Sequence, residues 1–173
     1  PDQFGDGDEK REAEPQILQA YRDALLEAGI QPDDDLYYST AGYIDVDGAA
    51  AAREMLAAGL PSTAVVAGND QLAFGILATL AEAGCTLPGA QAVVGFDDTG
   101  TSAAVQLSTV TQHVDQLGAR AAELVLTALA GEDIGTGAHR IPTTYVPRRS
   151  CGCSGGIRPP TTDLAPATPV EAF

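Results

Sequence analysis

The sequence predicts an α/β fold, an open parallel sheet flanked by helices. Two short apolar runs, residues 63–67 and 91–96, each end in carboxylate or amide residues. A run of four to six apolar residues is typical of a strand that is buried on both faces. Such runs alternate with helical patterns three times along the chain. This alternation favours a parallel sheet with helices packed on its faces.

The first elements are bounded by glycine residues. Apolar residues at helical spacing predict a helix over residues 11–28, which ends at Gly29. A short strand is predicted at 36–38, and a helix over 47–58 ends at Gly59. The strand at 63–67 leads into a helix over 70–83 with Asn69 or Asp70 as its N-cap, and the next strand covers 91–96.

The alternation of strand and helix patterns becomes less regular beyond residue 98. Residues 99–104 show no clear periodicity, whereas the pattern becomes regular again at residues 107–110. A long helix is predicted over 114–130, and a last strand over 140–146, where Pro142 favours an edge or irregular position. From Gly152 onward the chain is rich in Pro, Gly and Thr, so a flexible tail is expected.

Size and charge restrict the class of protein. A chain of 173 residues that is 45% hydrophobic can bury a core. The formal net charge of −15 opposes direct binding to nucleic acid. No apolar run is long enough to span a membrane, and the first residues do not resemble a secretion signal. The odd count of three cysteines suits a reducing cytoplasm better than a disulfide scaffold, so a cytoplasmic protein is expected.

Polar residues at the ends of the two best predicted strands are the first candidates for a ligand site. Asn69 and Asp97 follow these strands, and ligands of open α/β sheets bind beyond the carboxyl ends of the strands. The alternative is that both residues only cap helices. The helix at 70–83 carries almost no polar stripe, so it needs cover on two sides. The second cover is another subunit, a missing part of the chain, or other helices of this chain.

Catalytic and metal sites are not predicted. The sequence Gly152-Cys153-Ser154-Gly155-Gly156 matches the Gly-x-Ser-x-Gly elbow, but no histidine follows it and no helix can open after it. Cys151 and Cys153 with a histidine are too few and too closely spaced for zinc. The acidic run at 33–35 lacks the ligand pattern of a calcium loop. We therefore expect neither a metal, a cofactor nor an enzymatic activity.

Several segments together resemble the effector-binding core of LacI/GalR transcription regulators. They are Ala67-Gly68-Asn69-Asp70, Val94-Gly95-Phe96-Asp97-Asp98, Leu107-Ser108-Thr109-Val110-Thr111-Gln112 and Arg148-Arg149-Ser150-Cys151-Gly152. The resemblance runs from about residue 14 to residue 153. It implies the periplasmic-binding-protein-like fold, in which three crossover strands join two α/β lobes and the ligand lies in the cleft between them.

The resemblance also implies an organisation of the chain. Residues 1–13 would be a flexible acidic lead-in, and residues 14–112 would form the C-terminal effector-binding lobe, with the last crossover at 108–112. Residues 113–150 would be a helix and a strand of the other lobe, followed by a flexible tail at 151–173. Most of the other lobe and the DNA-binding headpiece would be absent, so the chain is interpreted as a fragment.

Site residues carry over from the family position by position. Asn69 matches a polar residue that contacts ligand hydroxyls or ring atoms, and Asp97 matches an acidic residue that accepts hydrogen bonds from the ligand. A carboxylate is a strong, directional acceptor for sugar or nucleoside hydroxyls. Tyr43 matches an aromatic residue that stacks on the ligand, the alternative being a partly buried loop tyrosine. Ile17 stands where the family often has an arginine clamp, which leaves the identity of the effector open.

The predicted function is the sensing of a small, sugar- or nucleoside-like effector for a LacI/GalR-type regulator, without catalysis. DNA would be contacted only through the absent headpiece. A homodimer is expected, and the interface is assigned to Leu72, Ile76, Leu77 and Leu80 on the apolar helix. The alternatives are the sensory input module of a signalling protein and an exported sugar-binding transport protein of the same fold.

Overall fold

The computed structural model describes the backbone of residues 8–153 and the side chains from residue 16 onward. The chain divides into two compact units, Pro1–Tyr38 and Ser39–Phe173. Residues 154–173 of the predicted tail, with the serine of the Gly-x-Ser-x-Gly match, lie outside the described residues, whereas Cys151 is the last residue of a 3-10 helix. The assignment of residues 14–112 and 113–150 to two different lobes stays a prediction.

The first unit consists of a long helix and a single turn of 3-10 helix. Helix α1 (Asp8–Glu27) ends before Gly29, whose positive φ is typical of a helix stop. It begins three residues earlier than predicted and overlaps the acidic lead-in at residues 8–13. A 3-10 helix at Asp34–Leu36 replaces the predicted strand at 36–38. The prediction was wrong because the Asp33 side chain accepts a hydrogen bond from the Asp35 amide and nucleates a turn there.

The second unit alternates helices and short strands. Its elements are α2 (Asp45–Ala57), β1 (Ala64–Val66), α3 (Asp70–Glu82), β2 (Ala92–Val94), α4 (Gly100–Ala104), β3 (Thr109–Thr111), α5 (Val114–Leu129) and β4 (Thr144–Val146). A further 3-10 helix covers Arg149–Cys151. Helix α4 falls in the region where the sequence shows no periodicity. The other elements match the predicted ones in type, with strands shorter than predicted.

The sheet is parallel in its first part. β1 pairs with β2 in parallel, with Val65 opposite Val93. β3 and β4 pair antiparallel in a second two-stranded sheet, and isolated parallel bridges from Val94 to Ser108 and from Asp97 to Thr111 connect the two sheets. The predicted parallel sheet is therefore confirmed for β1 and β2. Burial on both faces is wrong for β1, because Val66 is 66% exposed.

The core lies around α3. It contains the buried residues Ala52, Ala67, Leu72, Ala73, Ile76, Leu80, Val93 and Leu107. Helix α2 packs closely on α3, because glycines at the contact let the two backbones approach. A Cβ atom on Gly48 would lie 2.1 Å from the Leu72 carbonyl oxygen, and one on Gly75 would lie 1.8 Å from that of Asp45. The second cover of α3 is thus a helix of this chain.

This packing corrects the predicted dimer interface. Leu72, Ile76 and Leu80 are 5%, 4% and 0% exposed within the chain, so they cannot contact a second subunit. The sequence pattern could not reveal this, since an apolar helix face looks the same whether its cover is internal or external. Leu77 is only partly buried and borders an open groove, discussed below.

Three further features concern the predicted class of protein. A disulfide bond joins Cys151 to Cys153, whereas Cys85 is free. Because the bonded cysteines are two positions apart, the bond links no separate elements of the fold. None of the helices between residues 8 and 153 combines the length and hydropathy that a bilayer crossing requires. Across the same part of the chain, no three His, Cys, Asp or Glu side chains converge as a metal site would need.

Candidate functional site

Asn69 lies at the junction of β1 and α3. Its Oδ1 accepts a hydrogen bond of 2.9 Å from the Leu72 amide, so the residue is the N-cap of α3. Its Nδ2 donates a bond of 3.0 Å to the carbonyl oxygen of Tyr43, which fixes the loop before α2. Asn69 therefore does cap a helix, as one of the two interpretations of its position predicts. An amide nitrogen has two hydrogens and an amide oxygen two lone pairs, so capping does not exhaust its hydrogen-bonding capacity.

Tyr43 lies beside this junction. A Cβ atom on Gly68 would be 3.9 Å from Cε1 of Tyr43, so the phenol ring runs alongside the residue that precedes Asn69. The ring is 42% exposed. An aromatic face that is half in water can stack on an apolar face of a small molecule. The structure thus brings Tyr43 and Asn69 together.

Asp97 lies at the carboxyl end of the β2 segment and does not cap a helix. Its backbone has φ 117°, and its amide donates a 2.9 Å bond to the Val110 carbonyl oxygen on the neighbouring chain segment. Its Oδ1 accepts a bond of 2.6 Å from Nε2 of Gln112. The capping alternative is wrong for this residue, because α4 begins at Thr99 as its N-cap.

The two strand ends are hydrogen-bonded to each other. The amide of Asp70 donates a 2.8 Å bond to the carbonyl oxygen of Phe96, and the amide of Ala67 donates one of 2.8 Å to that of Val94. These bonds extend the β1–β2 pairing to the residues next to Asn69 and Asp97. The two polar side chains consequently follow adjacent parallel strands at the same edge of the sheet, where such folds bind ligands.

The electrostatics of the site are those of a hydrogen-bond acceptor. Burial raises the pKa of the Asp97 carboxyl above its usual range, the bond from Gln112 lowers it, and the nearby negative charge of Asp70 raises it. Arg148 brings a positive charge to this loop, and this charge is already engaged. Its Nη2 donates a 2.7 Å bond to Asp98, and its Nη1 donates one of 2.7 Å to the Leu107 carbonyl oxygen.

A carboxylate, an amide and an aromatic face are groups that can bind a neutral polar molecule. Asp97 can accept hydrogen bonds from adjacent hydroxyl groups, and Tyr43 offers an apolar surface. Gln112 holds one oxygen of Asp97 and leaves the other for a ligand. An anionic ligand would meet the repulsion of Asp97, with Asp70 behind it.

Comparison with known proteins shows the family to which the chain belongs. The model of the periplasmic binding protein-like domain matches residues 4–151. The chain belongs to this family, in its LacI/GalR branch. The transcriptional regulator GalR of Escherichia coli is 39% identical over 112 residues, which are 63% of this chain and 32% of the relative.

Two solved structures of LacI/GalR regulators have the same fold. The complex of the transcriptional regulator CelR with cellobiose has a TM-score of 0.69 and 31% identity over 77% of this chain and 41% of its own. The lac repressor dimer bound to operator and the anti-inducer ONPF has a TM-score of 0.68 and 27% identity over 77% of this chain and 46% of its own. The chain spans about a third of the length of the curated relatives it matches.

Sequence reasoning missed three residues around the LacI/GalR-type site. Gln112 was part of the resembling segment, but nothing in its spacing indicated that it bonds Asp97. Asp70 was considered only as an N-cap, whereas its carboxylate is fully buried. Arg148, which pairs with Asp98, lies 50 positions away in the sequence, so no local pattern could have found this contact.

Proposed function

We propose that this chain is the effector-binding part of a LacI/GalR-type transcription regulator that senses a neutral, sugar-like molecule without catalysing a reaction. The observation that carries the proposal is the placement of Asn69 and Asp97 on adjacent parallel strand ends. The relatives support it, since GalR and CelR are regulators of transcription and the solved structure of CelR is that of its complex with cellobiose. A bacterial regulator of transcription acts on DNA in the cytoplasm, so a cytoplasmic location is part of the proposal.

A neutral polyol is the ligand class that the site favours. Asp97 provides an acceptor, and Ile17 stands where the family often supplies a cationic clamp for ligand oxygens. Phosphorylated or acidic sugars are therefore disfavoured. Effector binding would change the equilibrium between two arrangements of the whole regulator, and it can do so only through its different affinity for the two.

The test measures sugar binding to the full-length protein that contains this chain. Isothermal titration with a panel of neutral mono- and disaccharides, including cellobiose, identifies a ligand. In Asp97→Ala the loss of a charged acceptor is expected to weaken binding by about 10- to 100-fold, since such a bond contributes about 1.5–3 kcal/mol. Asp45→Ala, on the first turn of α2, is the matched control and should bind as the wild type does. A wild-type protein that binds only anionic sugars would contradict the proposal.

A homodimer is proposed through the groove beside α3. The groove is lined by Phe74, Leu77, Ala78 and Ala81 on α3 and by residues that follow it, Leu87, Ala104, Val105, Gln106 and Arg149. Its apolar lining suits a second copy of the chain, and the lac repressor comparison is itself a dimer. Only Leu77 is shared with the interface that the sequence predicted.

Sedimentation of the full-length protein tests this interface. Ala81→Glu places a charge in the groove without removing core packing, because Ala81 is exposed. It should shift the protein toward the monomer, since a buried unpaired carboxylate is unfavourable. Ala50→Glu makes the same change on an exposed position of α2 outside the groove and should leave the dimer intact. Equal sedimentation of both variants as dimers would place the contact elsewhere.

A further inference from the structure

Asp70 is a buried acidic residue whose role the function above does not explain. We infer that Asp70 is a positioning residue of the effector site: its buried carboxylate holds the loop from Phe96 to Thr99 in the shape that presents Asp97. The inference rests on the proposed function of that site. Asp70 is 0% exposed, so it cannot contact an effector itself. Its effect on binding must pass through the loop.

Three donors converge on the Asp70 carboxylate. Oδ1 accepts a 2.6 Å bond from the hydroxyl of Thr109, and Oδ2 accepts a 2.9 Å bond from the amide of Thr99. The hydroxyl of Ser102 also donates to Oδ2. These donors come from the last residue of the loop, from α4 and from β3, so one side chain of α3 ties the end of the loop to the two elements that follow it. A buried carboxylate requires such donors.

The loop is attached to Asp70 at successive positions. The Asp70 amide donates to the Phe96 carbonyl oxygen, and the Asp70 carboxylate accepts from the Thr99 amide. Between them, the amide of Asp98 lies 3.4 Å from the hydroxyl oxygen of Thr109, which itself donates to Asp70. Asp97 is therefore the loop position that Asp70 does not bond, directly or through Thr109. Its side chain is left to Gln112 and to a ligand.

The backbone of this loop needs such support. Asp97 and Asp98 have φ of 117° and 57°, in a region that residues with a Cβ atom rarely adopt. The close approach of Asp70 also explains Gly95, because a Cβ atom there would lie 2.3 Å from Oδ1 of Asp70. Gly95, which leaves room for the Asp70 carboxylate, and the strained residues Asp97 and Asp98 are thus all arranged around Asp70.

The charge of Asp70 reaches Asp97 as well. Asp97 is faced by Gln112, by Asp70 from α3, and by Asp98, whose charge Arg148 pairs. Among these, the negative charge of Asp70 raises the pKa of Asp97. A residue that only stabilised the fold would leave the pH profile of effector binding in place. A residue that positions and polarises the site would move it.

The experiment compares variants of the full-length protein by sugar affinity as a function of pH. Asp70→Asn should weaken binding of the sugar identified above by tenfold or more and shift the acidic midpoint of binding to lower pH. Thr109→Val, which keeps the shape and removes the hydroxyl, should also weaken binding by about tenfold. Thr109→Ser restores the hydroxyl and should bind within about twofold of the wild type. Ile76→Val, a core change away from the loop, is the control for lost stability.

Hydrogen–deuterium exchange of residues 96–100 gives a readout that needs no effector. Asp70→Asn and Thr109→Val should raise the exchange of the Asp98 and Thr99 amides by tenfold or more, while Ile76→Val should not. If the wild type binds no sugar, the proposed function fails, and the exchange data alone decide whether Asp70 holds the loop. Wild-type exchange in both variants, or wild-type affinity and midpoint in a protein that binds sugar, would overturn the inference.

Discussion

Replacing Gly75 by alanine should destabilise this protein although alanine is the better helix former. Gly75 lies in the middle of α3 against the first turn of α2. A Cβ atom there would meet the Asp45 carbonyl oxygen at 1.8 Å and the Ala49 nitrogen at 2.7 Å. Real Cβ contacts are almost never below 3.0 Å, so the two helices would have to separate by about 1.2 Å, the difference between 3.0 and 1.8 Å.

The magnitude follows from two opposed effects. A gap of 0.5–1 Å already forfeits about a quarter to a half of the dispersion energy between facing atoms. Overpacking of a close contact costs about 1–3 kcal/mol, and a shift above 1 Å puts Gly75→Ala near the upper end. The higher helix propensity of alanine relative to glycine stabilises the variant by about 0.5–1 kcal/mol. We therefore expect a net loss of about 2 kcal/mol.

Urea unfolding followed by far-UV circular dichroism measures this loss. With a slope of about 2 kcal/mol per molar urea, the midpoint of Gly75→Ala should fall by about 1 M. Gly118→Ala is the matched control in α5, where a Cβ atom would meet nothing within 4 Å. Its midpoint should rise by about 0.3–0.5 M, since only propensity changes. If both variants shifted upward together, the close contact between α2 and α3 would be refuted.

Four further predictions concern the site and its supports. Burial raises the pKa of Asp97, and it is the ionised form that accepts the effector hydroxyls, so the affinity for the effector should fall as the pH falls through that raised pKa. In Asp97→Asn, affinity measured by calorimetry should not change with pH over the same acidic range. The same raised pKa means that folding disfavours the ionised form of Asp97. The stability that the protonated carboxyl contributes is therefore lost as the pH rises through the raised pKa, and at neutral pH Asp97→Asn should have a higher free energy of unfolding than the wild type. Arg148→Met leaves Asp98 and the Leu107 carbonyl without a half-buried partner and should lower the free energy of unfolding by about 2–4 kcal/mol in urea titrations, a loss that Arg149→Met should not reproduce. Asn69→Ala should lose about 1 kcal/mol by removing the cap of α3, whereas Asn69→Asp keeps the capping oxygen and should retain most of it, so equal losses would contradict the capping role.

Local signals predicted the helices well. Asn69 before an apolar run and Gly84 after it marked α3, and Gly59, Gly29 and Gly131 marked the ends of three other helices, each with a positive φ in the structure. The strand predicted at 36–38 failed because Asp33 offers the backbone a competing hydrogen bond. Residues 99–104 gave no helical pattern, since a helix of five residues is too short to show periodicity.

The site was harder to predict than the helices. Asn69 and Asp97 could be proposed because strand ends are readable in the chain. The cover of α3 could not, because the approach of α2 depends on Gly48 and Gly75, which are 27 positions apart and look like ordinary helix-weakening residues. Burial of Asp70 was equally hidden, since its donors Thr99, Ser102 and Thr109 lie 29, 32 and 39 positions away.

The shape of the Asp97 loop is set by tertiary contacts rather than by its own sequence. Two consecutive residues with positive φ are unfavourable by about 1–2 kcal/mol each for residues other than glycine. Hydrogen bonds from three directions offset this: Asp70 from α3, the Val110 carbonyl from β3, and Arg148 from the segment after β4. A loop held in this way presents the Asp97 carboxylate before any ligand arrives, so binding does not have to order it. A displacement of that loop would also disturb the hydrogen bond between Asp98 and Arg148, which follows β4 in the chain.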